Sequence, residues 1–165
     1  MKKYINRLLQ FDRGELNEEA PIGGFVLDYN DDRTLLQNVE RDMFLNGYAA
    51  IRNDTVRSFR ELDDYDFLVQ RALKNLGYNP IKPDGVDLTS LGNIVLTANR
   101  IFPLITIHRE VLFKGECHIG SIAKVTAKTL VLSLINPGAL YGGPYRIRLA
   151  DVTKVEFDGH YERAL

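Results

Sequence analysis

The chain has 165 residues, of which 45% are hydrophobic and 26% are charged, and its formal net charge is −1. These values are ordinary for a globular protein in water. They exclude a protein that binds nucleic acid mainly through a strongly basic surface. A local basic patch is compatible with the net charge, because acidic residues elsewhere can balance it.

Cysteine usage and the N-terminal residues bear on the compartment. Cys117 is the only cysteine, so no intramolecular disulfide can form, which suits a reducing compartment. The start is basic, but Arg7, Asp12 and Glu15 come too early for the apolar core of a signal peptide. The longest apolar runs are shorter than a membrane span. We therefore expect a cytoplasmic protein.

The first third of the chain predicts five short strands separated by turns. Asn30-Asp31-Asp32 is a turn signal, and Asn46-Gly47 predicts a tight hairpin. Closely spaced short strands of this kind are typical of a small barrel or sandwich. The predicted strands cover residues 3–11, 23–29, 34–39, 48–51 and 56–59.

The middle of the chain predicts two helices. Acidic residues at Asp63, Asp64 and Asp66 and a glycine at Gly77 favour a helix over about 64–76. Residues 77–86 contain two prolines and form the predicted linker. Asp87 is the predicted cap of a second helix over about 87–101, which must end before Pro103.

The last third again predicts five strands. The run 129–135 is apolar at nearly every position, which predicts burial on both faces. A longer loop follows over 136–145, rich in glycine and proline. The predicted strands cover residues 104–112, 118–125, 129–135, 145–149 and 152–157.

Short motifs recur in the same order in the two halves, which indicates one structural unit used twice. The predicted domains are residues 1–76, a strand unit with a C-terminal helix, and residues 87–165, a helix followed by a second strand unit. The strands themselves span about 1–60 and 104–165. The matched motifs are Ile5-x-Arg7 with Ile107-x-Arg109, Gly24 with Gly120, Thr34 with Thr129, Ile51-Arg52 with Ile147-Arg148, and Tyr65 with Tyr161.

Two of these motifs carry a family resemblance. A glycine followed by alternating apolar residues occurs at Gly24-Phe25-Val26 and Gly120-Ser121-Ile122, and a short fourth strand carries Ile51-Arg52 and Ile147-Arg148. On these residues the chain resembles tandem Sm-like/SH3-like small β-barrel proteins, and its first half is similar to bacterial proteins of unknown function. The resemblance implies a mainly β (α+β) chain of two small antiparallel barrels with connecting helices.

Sm-like proteins typically read RNA through an Asp and an Asn near the third strand and an Arg-Gly after the fourth. Here Asp32 and Arg52 fit that pattern, whereas Leu36 and Asn53 do not. In the second half Arg148 fits and Leu149 departs. RNA or single-stranded nucleic-acid binding through the Sm-like barrel, with Arg52, Arg57, Arg146 and Arg148 as contacts, is therefore the alternative function.

The residues that could support catalysis or metal binding each have a structural explanation. Cys117 and His118 are consecutive in a strand and face opposite ways, so they cannot both join His108 around a metal. The acidic clusters suit turns and a helix start, and no glycine loop has the pattern that binds phosphate. We therefore predict no enzyme activity, no metal and no cofactor.

The predicted binding residues lie in the second half: Tyr141, Tyr145, Arg146 and Arg148. Tyr and Arg are enriched where proteins bind partners. The predicted function is a non-enzymatic binding or regulatory module acting through protein contacts. The expected partner is another protein, with RNA as a weaker alternative and a second copy of the chain as a further one; no membrane partner is expected.

Overall fold

The computed structural model describes residues 2–16, 21–40, 43–61, 64–136 and 138–165, with the backbone alone for 64–67. The chain divides into unit 1, Met1–Lys82, and unit 2, Pro83–Leu165, and the division falls inside residues 77–86. Strands take up 42% and helices 24% of the residues, which confirms a mainly β chain. No helix in the described ranges is both long and apolar enough to cross a membrane.

Unit 1 contains five antiparallel strands followed by a helix. Their order in the sheet is β5-β1-β2-β3-β4, and a one-turn 3-10 helix, Asn53–Thr55, precedes β5. Two further 3-10 turns lie at Lys2–Tyr4 and Gly14–Leu16. The elements are β1 Leu8–Asp12, β2 Ile22–Tyr29, β3 Arg33–Val39, β4 Leu45–Arg52, β5 Ser58–Glu61 and α1 Asp64–Asn75.

Unit 2 begins with a helix and then has five antiparallel strands in the order β10-β6-β7-β8-β9. A one-turn 3-10 helix, Leu149–Asp151, precedes the last strand. The elements are α2 Leu91–Ile101, β6 Ile105–His108, β7 Cys117–Val125, β8 Thr129–Ile135, β9 Tyr141–Arg148, β10 Lys154–Phe157 and α3 His160–Ala164.

Strand pairing follows the same register in both units. Leu9 pairs with Gly24 in unit 1, and Ile105 pairs with Gly120 in unit 2, so that one offset of 96 residue numbers relates both positions. The same offset relates the pairs of β3 with β4 to those of β8 with β9. In this register Arg109 corresponds to Arg13, whereas the sequence motifs matched it with Arg7.

One core cluster of unit 1 takes alternate positions of its strands, such as Leu9 and Phe11, which point to the same face of the sheet. Tyr4, Ile5, Ile22 and Val56 pack against it. In unit 2 the strand positions Ile105, Leu130, Leu132 and Ile147 are likewise fully buried. The unit 1 core residues are Leu9, Phe11, Val26, Leu36, Ala49 and Ile51.

The tight hairpin predicted at Asn46-Gly47 is wrong. Both residues lie inside β4, where they face the single residue Asn38 of β3 and form a bulge. Gly47 has φ +62°, so the positive φ that the dipeptide favours serves the bulge rather than a turn. The chain reverses nearby, where the Glu40 N–H donates to the Phe44 carbonyl at 3.0 Å.

Several predicted boundaries also shift. Ser90, not Asp87, caps α2, because its hydroxyl accepts from the Asn93 N–H at 3.1 Å; Asp87 instead accepts from the Thr89 N–H. The strand predicted over 104–112 ends at His108, and β9 begins at Tyr141 instead of residue 145.

Two further expectations concern residues 129–135 and the first turn of α1. Only one face of β8 is fully buried, at Leu130 and Leu132, which corrects the prediction of two buried faces. The side chains of the acidic first turn, Asp63, Asp64 and Asp66, and Pro137 of the predicted loop lie outside the described residues.

Glycine at position 120 is required by a close backbone approach. A Cβ at Gly120 would lie 2.1 Å from the Ser133 carbonyl oxygen on the neighbouring strand, which is far inside van der Waals contact. The corresponding glycine of unit 1, Gly24, would place a Cβ 2.8 Å from the Gln37 carbonyl. At both positions β-strand backbones approach too closely for any side chain.

We expect Gly120→Ala to lower the free energy of unfolding by about 2 kcal/mol or more, because the methyl group can be accommodated only by moving β8 away from β7. Gly143→Ala is the matched control, since nothing lies within 4 Å of a Cβ there. Chemical denaturation of both variants measures the difference, and equal stabilities would contradict the close approach.

Candidate functional site

Two connections of unit 2 leave from the same end of its sheet. The β6–β7 connection covers residues 109–116, and the β8–β9 connection covers residues 136–140. Because β7 and β8 are antiparallel, the first residue of β7 and the last residue of β8 lie at one end. These connections, with the strand residues beside them, form the candidate site.

Arg109 is the central charged residue of this site. It follows β6 directly, and only 8% of it is exposed. Its guanidinium carbon lies 4.5 Å from the centre of the Phe113 ring and 5.4 Å from that of Tyr145, both within cation–π range. One terminal nitrogen, Nη2, donates a hydrogen bond of 2.7 Å to the Tyr145 hydroxyl. The Arg109 side chain therefore connects the β6–β7 loop to β9.

His118, near the start of β7, completes the cluster. Its ring stacks on Tyr145, with the ring centres 4.5 Å apart and the planes 14° from parallel. Burial, and next the positive charge of Arg109, lower the pKa of His118 below its ordinary value of 6.5. His118 is therefore neutral at pH 7. Its contribution to stability is complete above pH 6.5 and declines as the pH falls, because protonation would put a second charge beside Arg109.

Exposed apolar side chains surround this cluster. Five residues on the two connections and at the start of β9 are between 40% and 67% exposed. Three of them are consecutive, and the Phe113 ring among them covers the Arg109 guanidinium. We name this set the unit 2 rim: Val111, Leu112, Phe113, Leu140 and Tyr141.

The four residues predicted as the binding site do not share one face. On β9, Tyr141, Arg146 and Arg148 lie opposite Ile135, Val131 and Thr129, which alternate with the buried Leu130 and Leu132. Tyr145 lies opposite Leu132 and thus points to the inner face. The structure therefore places Tyr141, Arg146 and Arg148 together on the outer face and Tyr145 with Arg109 and His118.

The two arginines of that outer face differ in their surroundings. Arg148 donates two hydrogen bonds to the Asp151 carboxylate, at 2.8 and 3.0 Å. Arg52, the corresponding residue of unit 1, pairs with Asp54 at 2.6 Å. Arg146 is exposed. Of the predicted residues, Tyr141 and Arg146 are thus the ones that face solvent without an assigned structural partner.

Sequence reasoning missed Arg109, Phe113 and most of the rim. Val111 and Leu112 resemble the end of a strand in the sequence. In the structure they lie in a turn, in which the N–H groups of Leu112 and Phe113 bond to the Arg109 carbonyl. The signal that could have found the rim is the polar segment Lys114-Gly115-Glu116 that follows three consecutive apolar residues.

His108 lies on β6, beside Cys117 and His118 on the neighbouring strand β7. His108 pairs with Cys117, and Ile107 pairs with His118. Cys117 is exposed, whereas His108 is buried and its Nε2 lies 2.6 Å from the Glu156 carboxylate. Across the described ranges no three metal-ligating side chains of the His, Cys, Asp and Glu types come together.

A charged network around β10 holds the other side of the β6–β7 connection. Lys154 Nζ lies 3.3 Å from Glu156 and 4.0 Å from Glu110, and the Thr153 hydroxyl donates to Glu110 at 2.5 Å. Burial disfavours the charged form of Glu156, but Lys154 and His108 outweigh it and lower the pKa of this carboxyl to about 2. The network therefore requires an ionised Glu156.

We expect Tyr145→Phe to lower the free energy of unfolding by about 1 to 2 kcal/mol, because a buried guanidinium loses its hydrogen-bond acceptor. Tyr141→Phe, at an exposed position of the same strand, should change it by less than about 0.5 kcal/mol. Thermal denaturation of both variants makes the comparison. A surface role for Tyr145 would instead give two equally stable proteins.

Glu156→Gln should remove part of the acid sensitivity of the fold. The folded-state pKa of about 2 lies below the ordinary value of 4.5, so ionised Glu156 stabilises the fold above pH 4.5 and this contribution is lost as the pH falls towards 2. The shift corresponds to about 3 kcal/mol. Urea unfolding should show that the wild type is more stable than Glu156→Gln near neutral pH and that this difference in stability has disappeared by pH 2. The exposed Glu15→Gln variant is the control and should follow the wild type throughout.

Comparison with known proteins assigns no family to this chain. The sequence matches no protein-family model and no curated protein, and the fold matches no solved structure. Function is therefore inferred from the residues and geometry of the site.

Proposed function

We propose that each unit is a small barrel of the Sm-like/SH3-like type. Each contains five short antiparallel strands in one shared order, with a single 3-10 turn before the fifth. Each also has two bulges at corresponding positions, and bulges bend strands as a small barrel requires. The shared register supports the further proposal that the two units are copies of one another.

We propose that the chain is a non-enzymatic binding module and that it contacts another protein through the unit 2 rim. The observation that carries this proposal is the exposure of five large apolar side chains at one end of one sheet. Large apolar side chains exposed together at one end of a sheet are costly in water, and exposed apolar patches mark interaction sites in soluble proteins. Tyr141 and Phe113 are aromatic, and aromatic side chains are the usual anchors of protein interfaces.

The geometry beneath the rim favours a preformed surface. The Arg109 guanidinium lies between the Phe113 and Tyr145 rings, and the Phe113 and Leu112 N–H groups bond to the Arg109 carbonyl at 2.9 Å. A loop held in this way loses little conformational freedom when a partner binds, which favours affinity. Arg146, on the outer face with Tyr141, would add a polar contact at the border of the surface.

RNA binding is the weaker candidate. Arg52 and Arg148 were two of its four proposed contacts, and each is paired with a carboxylate three or fewer residues away along the chain. A phosphate would have to displace those carboxylates before it could bind. The net charge of −1 provides no compensating attraction.

Affinity capture of partner proteins from an extract of the source cell, with the full chain as bait, tests the proposed surface. We expect Leu112→Ser combined with Tyr141→Ser to lose the captured protein, because each removed anchor weakens binding by about tenfold or more. The matched control is Leu68→Ser with Leu76→Ser, which removes two equally exposed apolar side chains from unit 1. Wild-type and control proteins should retain the captured protein.

Nuclease treatment and melting curves complete this test. Capture that disappears with nuclease, or oligonucleotide binding that falls steeply as salt rises, would favour RNA instead. Both double variants should keep the melting temperature of the wild type. Unchanged capture by the unit 2 variant would remove the rim from consideration.

A further inference from the structure

Unit 1 contains a pocket of about 500 Å³ between β1, the 3-10 turn Asn53–Thr55 and β5. We name it the unit 1 pocket. Its volume lies in the range of small-molecule sites and is too small for a folded partner. Residues that line it include Phe11, Thr34, Asn53, Val56, Arg57 and Phe59.

One side of the unit 1 pocket is aromatic. Phe59 is 40% exposed, and its ring centre lies 5.3 Å from that of Tyr4 and 5.9 Å from that of Phe11. Contacts with two neighbouring rings restrict the orientation of Phe59, and the exposed part of its ring is a surface for stacking. Aromatic groups gain from such offset or edge-on contacts in addition to burial.

The Thr34 hydroxyl and the Asn53 amide of the pocket are already occupied. The Thr34 hydroxyl donates to the Asn53 side-chain oxygen at 2.8 Å, and the Asn53 amide donates to the carbonyls of Asn30 and Asp31. These contacts fix the 3-10 turn and use both amide protons of Asn53, so this amide cannot donate to the edge of a nucleobase. They therefore argue against a nucleotide as the occupant.

Arg57 and Ser58 supply the polar chemistry that remains. Arg57 is exposed, and its guanidinium carbon lies where a Cβ at Gly14 would approach to 2.7 Å, so the glycine leaves space for it. Among the described residues, no carboxylate pairs with the Arg57 guanidinium and no group bonds to the Ser58 hydroxyl. A guanidinium is suited to a carboxylate, which can accept two parallel N–H hydrogen bonds from it.

In unit 2 the residues at the corresponding position do not line an open pocket. The residues that correspond to Val56, Arg57 and Ser58 are Val152, Thr153 and Lys154, and all three are buried. The Thr153 hydroxyl and the Lys154 ammonium are used in the network with Glu110. Among the described residues, the exposed arginine of the unit 1 pocket therefore has no counterpart at the corresponding position of unit 2.

We propose that the unit 1 pocket binds a small aromatic carboxylate, with its ring against Phe59 and its carboxylate on the Arg57 guanidinium. This site is separate from the unit 2 rim and does not depend on the function proposed for it. The inference combines the exposed Phe59 ring, a guanidinium that has no carboxylate partner among the described residues, and a volume that fits a one- or two-ring acid.

Titration of the isotopically labelled full chain with 2-naphthoate, followed by amide NMR shifts, tests this proposal. We expect saturable shifts at residues of the unit 1 pocket. The neutral isostere 2-naphthamide should bind about tenfold more weakly or worse, because it cannot form a charged pair with Arg57. A higher salt concentration should weaken the binding of 2-naphthoate and leave the binding of 2-naphthamide nearly unchanged.

Two charge-removing variants complete the experiment. Arg57→Gln should weaken 2-naphthoate binding about tenfold or more and leave 2-naphthamide binding unchanged. Arg60→Gln removes the same charge from β5 at a position outside the pocket and should behave as wild type. The absence of saturable shifts at millimolar acid, shifts centred elsewhere, or equal effects of the two variants would each overturn the proposal.

Discussion

The positions of the β-bulges, at which one strand has one residue more than its partner, decide which way the side chains of this protein point. In β9, Gly142 and Gly143 lie opposite the single residue Leu134. Without that extra residue the alternation along β9 would turn Tyr141 inwards and separate it from Arg146 and Arg148. The bulge thus decides which residues of β9 face solvent. The Asn46-Gly47 bulge occupies the corresponding position in β4 and acts on Leu45 in the same way.

Unit 2 keeps several charged groups away from water, and each is matched by a specific neighbour. Arg109 is covered by two aromatic rings and bonded to a tyrosine hydroxyl, while Glu110 on the next residue is held by Thr153 and Lys154. Consecutive residues of opposite charge therefore fix the start of the β6–β7 connection from both sides. An unpaired ion at either position would be strongly destabilising, so these contacts specify one conformation of the loop.

The sequence predicted the number and order of the strands because apolar alternation and turn residues are local signals. It could not predict how the strands pair: Ile5-x-Arg7 resembles Ile107-x-Arg109, but the paired positions that match are Phe11 and Arg13. Asn46-Gly47 was misread because a positive φ suits a bulge as well as a turn. Of the site, Tyr141 and Arg146 were found from composition alone. Arg109 was missed because its role arises from contacts with residues up to 36 positions away.

Pro144 has a consequence for how this protein avoids self-aggregation. In the described part of the chain β9 pairs with β8 alone, so its other side is an open strand edge. Proline lacks the N–H that an incoming strand would need, the adjacent glycines distort the ladder, and Arg146 and Arg148 add like charge. Each feature opposes the addition of another strand. A sheet edge protected in this way can stay in water at high protein concentration without forming intermolecular β-structure.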